Sequence, residues 1–289
     1  MILITGATGL VGGQTARVLE GLGVASRALV RRESTYGDSR WPSGEVVAGD
    51  FERPESLRTA LDGIDAALLV SPATPAMVRQ QSAFVEAAAR VSRGRRPIRI
   101  VKVSGFLTGP DSPSRSGRWH AEIEARIEAT GLPATCLRMP FFMQNLLRSD
   151  PPPIVSGILR LPLPSAQIAM VDARDVATVA AHCLLDDAHA GKRYLLTGPE
   201  AASIADVASC LAEASGCPVR HEPDTLDEAR SAWAAAGTPR WRIEVVTEFY
   251  RSFETGAGET VSSDVRRVTG TPPSSLARFV REHLSSFGG

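Results

Sequence analysis

The spacing of Gly6, Gly9 and Gly12, directly behind the apolar run that opens the chain, dictates a strand that leaves through a tight turn into a helix. Gly6 permits the sharp exit, Gly9 lets backbone N–H groups approach a ligand with no Cβ in the way, and Gly12 lets the helix lie close to the sheet. The helix is expected from Gln14 to about Leu22, within an amphipathic segment that carries Val11, Thr15, Val18, Leu19 and Leu22. Its positive end meets an anion, as in the grip on a dinucleotide pyrophosphate. The competing reading is a glycine-rich turn with no ligand.

Short apolar runs alternate with helical periodicity beyond this point. Residues 26–30, 45–48, 66–70, 98–103 and 134–137 read as buried strands, and residues 54–61, 76–93 and 117–130 as helices between them. Strict alternation implies right-handed crossovers and a parallel sheet covered on both faces. The texture changes near residue 150, where prolines crowd into 151–153 and 162–164. Strand-like pieces follow at 154–156, 167–171, 192–196 and 219–221, with helices at 173–185, 204–215, 226–236, 243–254 and 274–284. The expected fold is α/β: a Rossmann doubly wound parallel sheet over residues 1–150, and a small C-terminal α/β substrate lobe over 151–289 that returns some elements to the first domain.

The 32 basic and 32 acidic residues cancel, so no global field recruits nucleic acid or an anionic membrane. Four cysteines without a Cys-x-x-Cys pair read as reduced thiols, and the five histidines show no ligand spacing, so neither a disulfide framework nor a metal site is expected. No apolar stretch approaches ~20 residues. A cytoplasmic monomer or homodimer that handles a small molecule is the expectation.

The nucleotide contacts follow from where Rossmann strands end. The loop offers Gly6, Thr8, Gly9, Leu10, Val11 and Gly12. Where NAD-binding chains place an acidic residue after the second strand, this one carries Arg31 and Arg32, which suit a 2′-phosphate and hence NADP(H), although solvated arginines at a strand end are the alternative. Asp50 and Phe51 stand where an adenine would sit, Asp50 serving equally as a helix-initiating residue. Ser71 ends the fourth strand beside the nicotinamide ribose position. Ser104 ends the fifth, at the carboxyl edge where open α/β sheets place their chemistry.

Short-chain dehydrogenases protonate substrate through a Tyr-x-x-x-Lys pair. Here Tyr36, Tyr194 and Tyr250 are followed at +4 by Arg40, Gly198 and Glu254, so the pair is absent. Its helix instead carries Trp119-His120-Ala121-Glu122-Ile123-Glu124.

Together with Gly6-Ala-Thr-Gly-Leu-Val-Gly12, the Arg31-Arg32 strand end, Gly49-Asp50, the run Thr130 to Asn145, Val171-Asp172-Ala-Arg-Asp175, Thr197-Gly-Pro-Glu200 and Thr269-Gly-Thr-Pro-Pro273, this pattern resembles the NmrA-like branch of atypical short-chain dehydrogenases/reductases. That group includes NADPH-dependent quinone reductases and triphenylmethane-dye reductases. The resemblance implies NADP(H) across the sheet edge and a substrate cleft lined by Phe106, His120, Phe141, Phe142, Met143, Asn145 and Met170. The clustered aromatics and thioethers suit a flat aromatic ligand, or else they are core. His120, with Ser104, is the catalytic candidate: a protonated imidazole can replace the missing tyrosine, unless it simply pairs with Glu124 one turn on. Asp172 and Asp175 read as a helix start. The implied activity is hydride transfer to a quinone-like or other conjugated aromatic acceptor; the alternatives are an NADP(H)-binding redox sensor without turnover, and an isomerase or lyase.

Overall fold

The computed structural model describes residues 1–31, 41, 44–148 and 152–289. The chain runs β1 (Ile2–Ile4), α1 (Leu10–Gly21), β2 (Ser26–Val30), β3 (Gly44–Ala48), α2 (Leu57–Leu61), β4 (Ala66–Leu69), α3 (Met77–Val91), β5 (Arg99–Gly105), α4 (Arg115–Thr130) and β6 (Ala134–Met139). It continues through α5 (Pro153–Ser156), β7 (Ile158–Leu159), α6 (Ala173–Leu185), β8 (Arg193–Leu195), α7 (Ile204–Ser215) and β9 (Arg220–His221), and closes with α8 (Leu226–Ala235), α9 (Arg240–Glu254), α10 (Asp264–Thr269) and α11 (Leu276–Glu282).

Two compact units result. The first comprises Met1–Pro110, Ser116–Arg138 and Ala173–Leu195, and the second Asp111–Arg115, Met139–Asp172 and Leu196–Gly289. The first is a seven-stranded sheet in the order β3-β2-β1-β4-β5-β6-β8, and its described pairings are parallel. The strands read from the sequence coincide with it to within a residue or two, but residues 45–48 are not buried as expected, because β3 is an edge strand whose residues are exposed or half-buried. Leu57, Leu61, Met77, Phe84, Ile123 and Ile127 build one core with Leu3, Leu69 and Ile100, which places α2, α3 and α4 on one face. On the other, α6 packs against α1 through a run of small buried residues that includes Ala177, Ala180 and Ala181.

Strand order reverses between β1 and β4, and Thr5 pins that junction. The residue is 1% exposed, and its hydroxyl lies 2.9 Å from the Leu68 carbonyl and 3.0 Å from that of Val70 and accepts the Val70 N–H at 2.9 Å. Thr5→Val is therefore expected to strand a backbone N–H and cost about 1–3 kcal/mol, read as a lower urea midpoint.

Three local expectations are corrected. The first helix starts at Leu10, not Gln14, because the chain enters it straight from the glycine turn and carries Gly12 and Gly13 in its first turns. Residues 154–156 belong to the short helix α5, since Pro153 sits at its N1 position and Gly157 closes it in a left-handed conformation. Residues 167–171 form no ladder and pair only through single bridges, Ile168 with Ala202 and Val171 with Phe142. No described helix is long and apolar enough to cross a membrane.

Candidate active site

Because the sheet of the first unit is parallel, the ends of β1, β2, β4 and β5 share one edge, and the strand order reverses between β1 and β4, the point at which open sheets of this kind bind ligands. The glycine loop follows β1 at that point. Gly6 has φ +57°, and a Cβ on it would lie 2.9 Å from a Val70 methyl carbon and 3.0 Å from the Val70 carbonyl oxygen. A Cβ on Gly12 would lie 2.3 Å from the Gly6 carbonyl oxygen, so the helix sits closer to the loop than any other residue allows. Gly9 is the N-cap of α1 and offers no side-chain cap, the first turn contains no acidic residue, and Thr8, Gly9 and Leu10 are exposed. The helix thus ends in backbone donors suited to an anion.

Other candidates divide. Arg31 is exposed immediately after β2, and Arg32 lies outside the described residues. The Asp50 carboxylate accepts the Glu52 N–H at 3.0 Å, a local turn that favours its structural reading. The Phe51 ring packs 5.3 Å from Phe84 and so belongs to the rim of the core rather than to an open adenine face. The Ser71 hydroxyl accepts from the buried Gln81 amide at 2.9 Å.

The chemistry concentrates on β5, α4 and β6. Ser104 is 3% exposed and donates to Glu124 Oε1 at 2.6 Å, so its hydroxyl is spent on anchoring that carboxylate instead of facing a ligand. Arg138 from β6 donates to both Glu124 oxygens, at 2.5 and 3.3 Å, and Arg193 reaches the same carboxylate at 3.4 Å. Glu124 is 5% exposed; burial pushes its pKa up, but the hydrogen bonds from Arg138 and Ser104 and the charges of Arg138 and Lys102 outweigh this and hold it below the usual value. Glu124 is therefore no surface partner for His120.

The partner of His120 is Lys102. This lysine is 0% exposed, and its Nζ lies 2.9 Å from His120 Nδ1 and donates to the Val103 carbonyl at 3.0 Å. Burial lowers the ammonium to about 8 despite the Glu124 carboxylate nearby. Burial, then the positive charges of Lys102 and Arg138, holds the imidazole well below its ordinary pKa, so His120 is neutral at pH 7 and not the imidazolium that a direct acid role requires. The outer edge of the ring covers the end of β5: a Cβ on Gly105 would lie 3.2 Å from His120 Cδ2 and 3.7 Å from Nε2. Cys136 is buried alongside, and burial pushes its thiol up to about 12. One signal in the sequence pointed to Lys102: it is one of only two lysines, and it stands between the apolar residues Val101 and Val103 in the interior of a strand.

In the second unit, Phe141, Met143 and Met170 are 7%, 2% and 2% exposed. Phe141 packs edge-on against Phe253 at 6.2 Å, and Met143 closes on Gly198, so these three substrate candidates are core side chains. Phe142 and Asn145 remain partly exposed there, as does Phe106 in the first unit. Asp172 is fully buried ahead of α6 and accepts from the Gln144 amide at 2.8 Å, and Asp175 lies in the helix's first turn.

The profile of the NmrA-like family matches residues 1–229. The chain belongs to the NmrA-like family. Among its relatives, the NAD(P)H azoreductase of Xenophilus azovorans is 33% identical over 288 residues, covering 100% of this chain and 99% of that protein. Quinone oxidoreductase 2 of Escherichia coli is 26% identical over 286 residues, 98% of each chain. Among solved structures, the NADP(H) complex of the Citrobacter triphenylmethane reductase aligns with this NmrA-like chain at TM-score 0.83 and 25% identity, over 98% of this chain and 99% of that one.

Proposed function

We propose that this chain is an NADP(H)-dependent oxidoreductase that passes hydride to a quinone-like or other conjugated aromatic acceptor, with no Tyr-x-x-x-Lys pair. The observation that carries the reading is the α1 N-terminus: a glycine cradle that a Cβ would fill, without a side-chain cap or acidic residue, at the reversal point of a parallel sheet. Those residues fit a dinucleotide. Thr8, Gly9 and Leu10 would hold the pyrophosphate, and Arg31 the 2′-phosphate. Bound there, NADPH supplies a hydride. Named relatives act in the same sense: one is an NAD(P)H azoreductase and another a quinone oxidoreductase. Quinones and cationic dyes are strong hydride acceptors, so holding them over the nicotinamide carries much of the rate. Four free cysteines fit a reducing compartment, and on that ground we place the protein in the cytoplasm.

The test is to titrate the protein with NADPH and with NADH by cofactor fluorescence, then add quinones, azo dyes and triarylmethane dyes and follow cofactor oxidation. NADPH oxidation by members of this panel is the expected result. Tight NADPH binding with no oxidation by any of them overturns the enzyme reading in favour of a sensor. Arg31→Ala is expected to weaken NADPH about tenfold, the low end for a charged hydrogen bond at an exposed position, while leaving NADH unchanged.

A further inference from the structure

A neutral imidazole and a lysine sealed in the core each fail alone as the acid that a quinone requires. His120 carries no ionised proton to give, and Lys102, at 0% exposure, reaches no ligand. Their contact resolves both failures. The Lys102 ammonium donates to His120 Nδ1 at 2.9 Å, so the imidazole holds its own proton on Nε2, on the ring edge that covers Gly105 at the end of β5. We propose that Lys102 is the proton reservoir of the reduction and His120 its relay, together replacing the tyrosine–lysine pair.

The inference rests on the reductase reading. A quinone that has accepted hydride at oxygen from the reduced nicotinamide carries a new O–H bond and one oxyanion. The oxyanion takes the Nε2 proton of His120 as Nδ1 takes one from Lys102. One O–H bond forms as the Nε2–H bond breaks, and one Nδ1–H bond forms as an Nζ–H bond breaks. The products are hydroquinone, a neutral imidazole of the other tautomer and a neutral amine; the reverse relay resets both, solvent giving a proton to Nε2 as Nδ1 returns one to Nζ. The surroundings suit an amine that cycles between charge states. Glu124 from α4 supports the ammonium, Arg138 from β6 and Arg193 from β8 balance Glu124, and the neutral Cys136 thiol adds no charge. An acid with a pKa of about 8 is also well matched to work near neutrality.

The acceptor's charge gives the discriminating experiment. Benzoquinone needs hydride and a proton, whereas a cationic triarylmethane dye such as malachite green needs hydride alone. Lys102→Met is expected to lower the ratio of quinone to dye turnover by about 10² or more. Quinone kcat of the unaltered enzyme should fall as pH rises through about 8, where the amine loses its proton, and the variant should lack that limb. In ¹⁵N spectra the unaltered protein should show His120 as the Nε2–H tautomer. Equal slowing of both acceptors, or an Nδ1–H tautomer, overturns the relay. If Lys102→Met does not fold, the proton inventory of unaltered enzyme with benzoquinone decides: a bowed plot for two protons in flight supports the relay, and a straight line overturns it. Failure to oxidise NADPH with either acceptor overturns the reductase reading itself, and the relay with it.

Discussion

Gly12→Val is expected to reduce NADPH affinity by about 10² or more and to lower the melting temperature. Even the first carbon of the new side chain would lie 2.3 Å from the Gly6 carbonyl oxygen, 2.8 Å from the Gly6 carbonyl carbon and 3.0 Å from the Thr5 carbonyl oxygen. These are backbone atoms of the turn itself, so no rotamer relieves the clash. Either α1 moves off the sheet or the loop between Thr5 and Gly9 changes shape. The first separates α1 from α6, whose small buried side chains allow no compensating shift, and overpacking of this kind costs about 1–3 kcal/mol. The second misplaces the N–H groups that face the anion, and a displacement of about 1 Å is worth roughly 10² in a positioned interaction. Gly21→Ala supplies the contrast. That glycine is exposed in the last turn of the same helix with nothing within 4 Å of a Cβ, so the change should leave NADPH affinity alone and raise stability by about 0.5–1 kcal/mol. Fluorescence titration and thermal unfolding of the two variants separate the packing role of the motif from the mere presence of glycine.

The same contrast explains which parts of the molecule were legible in the sequence. The glycine loop and the buried strands announce themselves through period and spacing, because backbone sterics and burial on both faces leave few alternatives. The helices α6 and α7 match their expected spans to the residue, α7 because Ser203 and Asp206 form a capping box at its start. The pieces 154–156 and 167–171 were misread because short apolar runs carry no period of their own. Chemistry was less legible than fold for a related reason. His120 was found by topology, but its partner was expected four residues along the same helix at Glu124. The helix instead turns the two side chains to different neighbours from the sheet: Glu124 meets Ser104 of β5 and Arg138 of β6, and His120 meets Lys102 of β5. Such partners are set by strand register, which a single sequence does not display. Phe141 and Met143 sit beside a strand end, as a substrate site requires, yet burial places them in the core.

Glu124→Ala should be among the most destabilising single substitutions in the first unit. It removes the one carboxylate that accepts from Ser104 and pairs with Arg138 and Arg193, leaving Arg138, whose side chain is only 25% exposed, without its main counter-charge. Breaking a fully buried pair costs about 3–5 kcal/mol, and the partial exposure of Arg138 brings the expected loss down to about 2–3. Glu124→Gln keeps an acceptor for Ser104 and should cost roughly half as much. The pH dependence identifies the charge as the cause. The folded-state pKa of Glu124 lies below the unfolded value, so the folded protein binds fewer protons between the two, and the stabilisation is fully present above the ordinary carboxylate range. It is lost as pH falls through the lowered folded value. The difference in unfolding free energy between unaltered protein and Glu124→Gln should therefore be constant near neutrality and shrink below about pH 4.5, the two urea curves converging in acid. A difference that persists unchanged into acid would assign the loss to shape and hydrogen bonding, and the ion pair would then be a consequence of the packing of α4 on the sheet.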